Sequence, residues 1–235
     1  KQNMKLSEVS RTAVTTWCPL SSYSNYIAAG SIAGSLEDFT AGSKLEIFTT
    51  DPSSSKHTTI DEENDNKMLL GRVTSADRFN RLAWGKPSQD FELGVIAGAL
   101  VDGSISLYDA SKIVGNSDES TNAVITNLEG HTAPVKGLEF NPTQTNLLAS
   151  AGEDSQLYIW NLKNPNAPTP VTLGGKNPHQ NQSISFLSWN RIYEYILATT
   201  SYNGTSVVWD LKQKRPIVPF TNSQNKKRYS SLAWN

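Results

Sequence analysis

SYNGTSVVWDL, residues 201–211, is the stretch on which the fold turns. Its pair Asn203-Gly204 reads as a two-residue hairpin turn, which demands positive backbone dihedrals that only Gly, Asn and Asp adopt cheaply. β-Branched residues follow and end on Trp209. The same pattern recurs upstream. Aligned on the aromatic near the end of the second strand, Asn203 lies six residues before Trp209, and Asp154 lies six before Trp160 in EDSQLYIWNL. Asp102, followed by Gly103, lies six before Tyr108 in VDGSISLYDA, and a weaker match, GSKLEIFTT, puts Gly42 six before Phe48.

Each hairpin is preceded by a short apolar run, and each run by another aromatic, as in TTWCP, LAWGK, LEFNP, LSWNR and LAWN. These anchors are Trp17, Trp84, Phe140, Trp189 and Trp234, at spacings of 67, 56, 49 and 45 residues. The period contracts toward the roughly 40 to 45 residues, four strands per unit, of WD repeats. The pattern predicts an all-β WD40 propeller portion with strands near 12–18, 26–31, 43–49 and 68–73; 79–84, 94–100, 104–109 and 123–128; 135–140, 146–151, 155–160 and 169–173; and 184–189, 195–200, 204–210 and 216–220. A fifth unit begins at Tyr229 and is cut after one strand, so residues 1–235 read as one propeller domain truncated in its fifth repeat.

The excess length falls in three polar connections, 50–67, 110–122 and 161–170, expected on the surface between third and outermost strands. The acidic cluster Asp61, Glu62, Glu63 and Asp65 and the basic run Lys226, Lys227 and Arg228 read as solvated loops. Within the sheets, Trp17, Trp84, Phe140, Trp189, Trp209 and Trp234 are expected to wedge between neighbouring blades, each Trp burying on the order of 150 to 250 Å².

The composition narrows the function. Lys plus Arg number 21 against 22 Asp plus Glu, so no global field exists to hold nucleic acid or an anionic membrane. A single cysteine, Cys18, cannot form an internal disulfide, and a reducing cytosolic setting fits it. No run of about 20 apolar residues is present to span a bilayer, and the opening KQNMKLSEVS has no apolar signal core.

The third unit carries one further signal. EGHTAPVKGLEFNP supplies a Gly-His pair which, with Asp154 and Trp160, completes the hydrogen-bonded set of a WD repeat: His131 donates to Asp154 and reaches through Ser150 toward the Trp160 indole. Removing one member would leave buried polar groups unsatisfied at about 1 to 3 kcal/mol. Only the third unit reads as complete. No catalytic, cofactor-binding or metal-ligating constellation is expected: His57 and His179 have no second His or Cys at ligand spacing, no Gly-rich stretch has phosphate-cradling spacing, and Cys18 reads as a buried hydrophobe.

With these motifs in view, the chain resembles the larger outer-cage subunit of the coat protein complex II (COPII) vesicle coat. MKLSEVSRTAVTTWCP, VIAGALVDGSISLYDASKIV, HTAPVKGLEFNPTQTNLLASAGEDSQLYIWNL and ILATTSYNGTSVVWDLKQKRPI carry the likeness, which covers residues 4–235. The resemblance implies an amino-terminal propeller of seven blades in a much longer chain, of which about four blades and the first strand of a fifth lie here. Residues 4–7 would then supply the outermost strand of the final blade. It implies a structural, non-enzymatic scaffold of the outer coat that forms the cage driving budding in endoplasmic reticulum to Golgi transport. The implied partners are the smaller WD-repeat cage subunit, other copies of the same chain at cage vertices and, through regions outside this chain, inner-coat subunits. The implied location is cytoplasmic, peripheral on endoplasmic reticulum exit sites and vesicles. The competing reading from the repeats alone is a WD adaptor of another complex, such as a ubiquitin ligase or chromatin complex.

Overall fold

The computed structural model describes residues 12–32, 43–50, 68–115, 121–171, 173, 177–179, 181–221 and 228–235. In these, runs rich in Val, Ile, Thr and aromatic residues alternate with turn residues, which favours short strands over helices. Sixteen strands form four antiparallel sheets, each built from four strands consecutive in sequence. The first holds β1 (Ala13–Trp17), β2 (Tyr26–Ser31), β3 (Lys44–Thr49) and β4 (Leu69–Thr74). The second holds β5 (Phe79–Gly85), β6 (Val95–Leu100), β7 (Ile105–Asp109) and β8 (Val124–Leu128). The third holds β9 (Val135–Phe140), β10 (Leu147–Gly152), β11 (Leu157–Asn161) and β12 (Thr169–Val171). The fourth holds β13 (Ile184–Trp189), β14 (Ile196–Ser201), β15 (Thr205–Asp210) and β16 (Arg215–Thr221).

The leading strands β1, β5, β9 and β13 lie side by side, so the sheets stack face to face around a common axis as the blades of a partial propeller. The period-2 alternation of each strand feeds two different interfaces. In the second sheet Leu82, Trp84, Ile96 and Tyr108 face the first sheet, whereas Ala83, Val95, Ala97 and Leu107 face the third. Ile159 and Ala149 of the third sheet pack with Leu187, Trp189 and Trp209 of the fourth. Strands buried on both faces explain why β6 and β7, apart from the capping Asp109, are apolar or small, every residue of both being buried.

Three expectations need correction. The hairpin turns are not two-residue turns with two positive dihedrals: only Gly204 (φ 83°) and Gly103 (φ 100°) are left-handed, and Asn203 and Asp102 are not. Each turn is closed by a hydrogen bond from the fourth residue to the first, Gly204 N–H to Ser201 O at 3.1 Å and Gly103 N–H to Leu100 O at 3.4 Å. The glycine then absorbs the left-handed step back into the strand. Ser155 (φ 67°) takes that position in the third unit.

Tyr229 does not begin a strand. Residues 228–235 run beside β13 with no ladder of their own, because no further strand of a fifth sheet pairs with them among the described residues. The connection after β7 is not wholly irregular either. Asp109 caps a short helix, α1 (Ala110–Ile113), by accepting from Ser111 N–H at 3.0 Å, and fully buried Ile113 joins the first intersheet core. The expectations for residues 4–7, His57, the acidic cluster Asp61, Glu62, Glu63 and Asp65, and Lys226 and Lys227 lie outside the described residues.

Candidate functional site

The hydrogen-bonded set of the third unit is assembled from four segments of the chain. β10 positions Ser150, β11 positions Trp160, the turn between them positions Asp154, and the connection before β9 brings in His131. His131 Nδ1 lies 3.0 Å from both Asp154 carboxylate oxygens, and its Nε2 lies 2.9 Å from Ser150 Oγ. Trp160 Nε1–H donates to the same Oγ at 2.9 Å. The ring is therefore Nδ1-protonated, with Nε2 accepting from the serine hydroxyl. Burial works against the Asp154 charge, but the His131 contact and the N–H groups of Thr132 and Gln156 outweigh it and hold its carboxyl below the usual range. The Tyr158 ring closes the set edge-on against His131 at 4.7 Å. Every polar group of His131 is consumed inside the blade.

The fourth unit contains a partial second set, built on His179, which the sequence reading did not single out. His179 is fully buried, its Nε2 lies 2.7 Å from Thr199 Oγ1, and Trp209 Nε1–H donates to that oxygen at 2.8 Å. The signal was legible: Thr199 stands ten residues before Trp209 as Ser150 stands ten before Trp160. The carboxylate is replaced. Asn203 Oδ1 accepts from Ser201 Oγ and from Thr205 N–H, and His179 Nδ1 is left buried without a hydrogen-bond partner. Burial pushes the His179 imidazole down to about 4, so the ring is neutral at physiological pH.

The second unit substitutes Tyr108, whose hydroxyl donates to Ser75 Oγ at 3.2 Å. In its turn Asp102 Oδ1 accepts from both the backbone N–H and the hydroxyl of Ser104, at 2.8 and 2.7 Å.

The anchor aromatics follow one rule with one exception. Each caps the leading strand of the blade before it. Trp189 Nε1–H donates to Glu139 O at 3.0 Å, and Trp234 Nε1–H donates to Ser188 O at 3.1 Å. These acceptors immediately precede the anchors Phe140 and Trp189. Phe140 itself covers Gly85, where an added Cβ would come within 2.4 Å of the ring. Trp84 packs with Cys18 and Tyr26 and donates to Leu93 O at 2.7 Å. Trp17, expected to wedge between blades, is instead 55% exposed, because among the described residues no sheet precedes β1 for it to cap.

Cys18 is buried, and that burial pushes its thiol up, away from nucleophilic character. No group of three or more His, Cys, Asp or Glu side chains among the described residues is placed to hold a metal ion. No helix among them is long and apolar enough to cross a membrane. A cleft of about 820 Å³ runs along the leading strands, lined by Thr16, Arg81, Glu139, Phe186 and Arg191 among others.

Comparison with known proteins locates these features. The WD40 family description, WD domain, G-beta repeat, matches residues 122–161, the stretch that holds the complete hydrogen-bonded set. Over 239 residues, 98% of this chain and 17% of its own length, the protein transport protein SEC31 of Dictyostelium discoideum is 36% identical. The protein transport protein Sec31A of Homo sapiens is 38% identical over 237 residues, 99% of this chain and 18% of its own. The chain therefore spans about a fifth of the length of these relatives. Among solved structures, a chain of the COPII outer coat vertex on membranes superposes with a TM-score of 0.65 at 24% identity, covering 93% of this chain and 53% of that one. A chain of the mitotic checkpoint complex superposes with a TM-score of 0.60 at 17% identity, covering 89% and 50%. Both likenesses are of fold alone. Sequence identity sustained across nearly the whole of its length makes this chain a WD-repeat homologue of the Sec31 protein transport proteins.

Proposed function

We propose that this chain is the amino-terminal propeller portion of a non-enzymatic scaffold in the COPII outer cage, acting in vesicle budding between endoplasmic reticulum and Golgi. The observation that carries the reading is identity of 36 to 38% to Sec31 proteins over 98% or more of the chain. The architecture agrees with it. Both buried histidines are enclosed within their blades, each holding a hydroxyl through Nε2, and the aromatics are spent on blade stacking. What the blades leave for function is surface: loops at the two ends of the stack and the cleft along the axis. On this reading the four described sheets belong to one propeller domain of a longer protein.

On this reading the partners are the smaller WD-repeat cage subunit, further copies of the same protein at cage vertices and, through regions beyond these residues, the inner coat. Membrane contact is indirect, at endoplasmic reticulum exit sites on the cytoplasmic side. Affinity capture of the full-length protein from cytosol tests this. Recovery of the smaller cage subunit in near-equal amount is expected, and its absence from a capture that retains the full-length bait sinks the coat reading.

A further inference from the structure

We infer that the cleft along the leading strands is a binding site for an acidic peptide segment of a protein partner, with Arg81 as its principal contact. The cleft lies where four leading strands converge, and its charged lining is unbalanced: Arg81, Lys86 and Arg191 against Glu139. Glu139 is already occupied. One of its carboxylate oxygens accepts from Trp189 N–H at 2.8 Å and the other pairs with Arg191 at 3.0 Å.

Arg81 is treated differently. It projects from β5 toward Phe186 of β13, two blades away, and its guanidinium lies 4.5 Å from the centre of that ring. This crossing passes β9 at Gly137, which sits three residues before its anchor, as Arg81 and Phe186 do before theirs. A Cβ on Gly137 would come within 2.9 Å of Leu187, so close approach of the third and fourth sheets keeps that position empty of a side chain. The Arg81 guanidinium makes no hydrogen bond or ion pair among the described residues. Its burial is deep enough to oppose its charge, with Glu139 offering only longer-range compensation.

A guanidinium has five donors in a fixed fork, and stacking on a ring leaves all of them available in the plane. A half-buried fork with no acceptor, in a cleft with two further cations, is complementary to a carboxylate arriving from solvent. An extended peptide suits the cleft better than a small anion, because Leu20, Pro142 and Leu232 also line it and offer apolar contact to residues flanking the acid. The site stands on this geometry and does not depend on the coat reading.

The test uses full-length protein and a fluorescein-labelled octaglutamate peptide, followed by anisotropy at low salt. Wild type binds octaglutamate but not octaglutamine, and binding weakens with added salt. Arg81→Gln lowers affinity at least about tenfold, and Arg191→Gln lowers it less. Glu139→Gln, which removes the competing carboxylate while leaving Arg81 in place, raises affinity about threefold. Lys163→Gln, in an exposed loop outside the cleft, leaves it unchanged. Thermal melts accompany each variant, and if Arg81→Gln fails to fold, Glu139→Gln decides alone. Unchanged binding in Arg81→Gln, no gain in Glu139→Gln, or equal binding of octaglutamine overturns the proposal. So does binding of inositol hexakisphosphate with none of octaglutamate.

Discussion

The third and fourth units solve the same problem with different chemistry. Both bury an imidazole behind the turn of a hairpin, both hand its Nε2 to a hydroxyl on the second strand, and both hang the tryptophan indole on that hydroxyl. Only the third supplies a carboxylate for the other ring nitrogen. The difference lies in two positions. Gly152 in the third unit leaves room for the pair: a Cβ there would come within 2.8 Å of both Asp154 Oδ1 and His131 Nδ1. The corresponding residue of the fourth unit is Ser201, fully buried, whose hydroxyl occupies that gap and engages Asn203. A repeat can thus lose its ionic member and keep its hydrogen-bonded spine, provided the turn satisfies itself locally and the histidine stays neutral.

The comparison can be broken at its shared part. Trp160→Ala and Trp209→Ala each remove a ring that is 4% and 3% exposed, respectively, and each should cost about 3 to 5 kcal/mol in urea melts of the full-length protein. Similar losses are expected from the two. A loss below about 1 kcal/mol at either would mean that the spine does not hold that blade together.

Acid separates the units next. The His179 imidazole is lowered from 6.5 to about 4 in the fold, so between those values the unfolded chain binds more protons than the folded one. Its contribution is intact above pH 6.5 and falls as pH drops toward 4, by about 3 kcal/mol in total. The Asp154 carboxyl is also lowered, so its contribution is present above the ordinary carboxylate range of about 4 and is lost only as pH falls through its depressed folded value. Stability measured from pH 7 to 4 should therefore decline mainly through the fourth unit. His179→Gln should flatten that decline, and an unchanged slope would remove His179 as its source.

Asp154→Asn converts the third unit toward the fourth without the compensating serine. Leaving His131 Nδ1 without its carboxylate should cost about 1 to 3 kcal/mol at pH 7, read from the urea midpoint. The smallest effect is the reverse conversion. Ser201→Gly with Asn203→Asp opens the gap and supplies the charge, and should add about 1 kcal/mol while weakening the dependence on acid. If the double variant keeps the full acid sensitivity, the new carboxylate has not reached His179.

The recurrence of a turn residue six positions before an aromatic made the four hairpins legible, and the anchor spacing made the stack legible. Strand boundaries moved by only one or two residues, because alternation and turn chemistry are local properties. The turn geometry was misread at Asn203 and Asp102, since a dipeptide names the left-handed residue without saying where the turn begins. His179 was overlooked because it lacks a preceding glycine and is approached through NPH. Its spacing to Thr199 and Trp209 carried the information, but its burial depends on the sheets closing around it. Trp17 erred in the opposite direction, for an aromatic at the right period is buried only where a neighbouring blade exists to receive it.

From its residues alone the chain was determined to be a set of four-stranded antiparallel units with bulky rings at matching places, because period-2 patterning and turn propensity act over a few residues. Tertiary structure alone decided which rings are covered, that His179 is buried with its Nδ1 lacking a partner, and that Arg81 crosses two blades to meet Phe186 without an acceptor. Those outcomes depend on distances between residues far apart in the chain, and such distances are set by how the sheets pack around the axis.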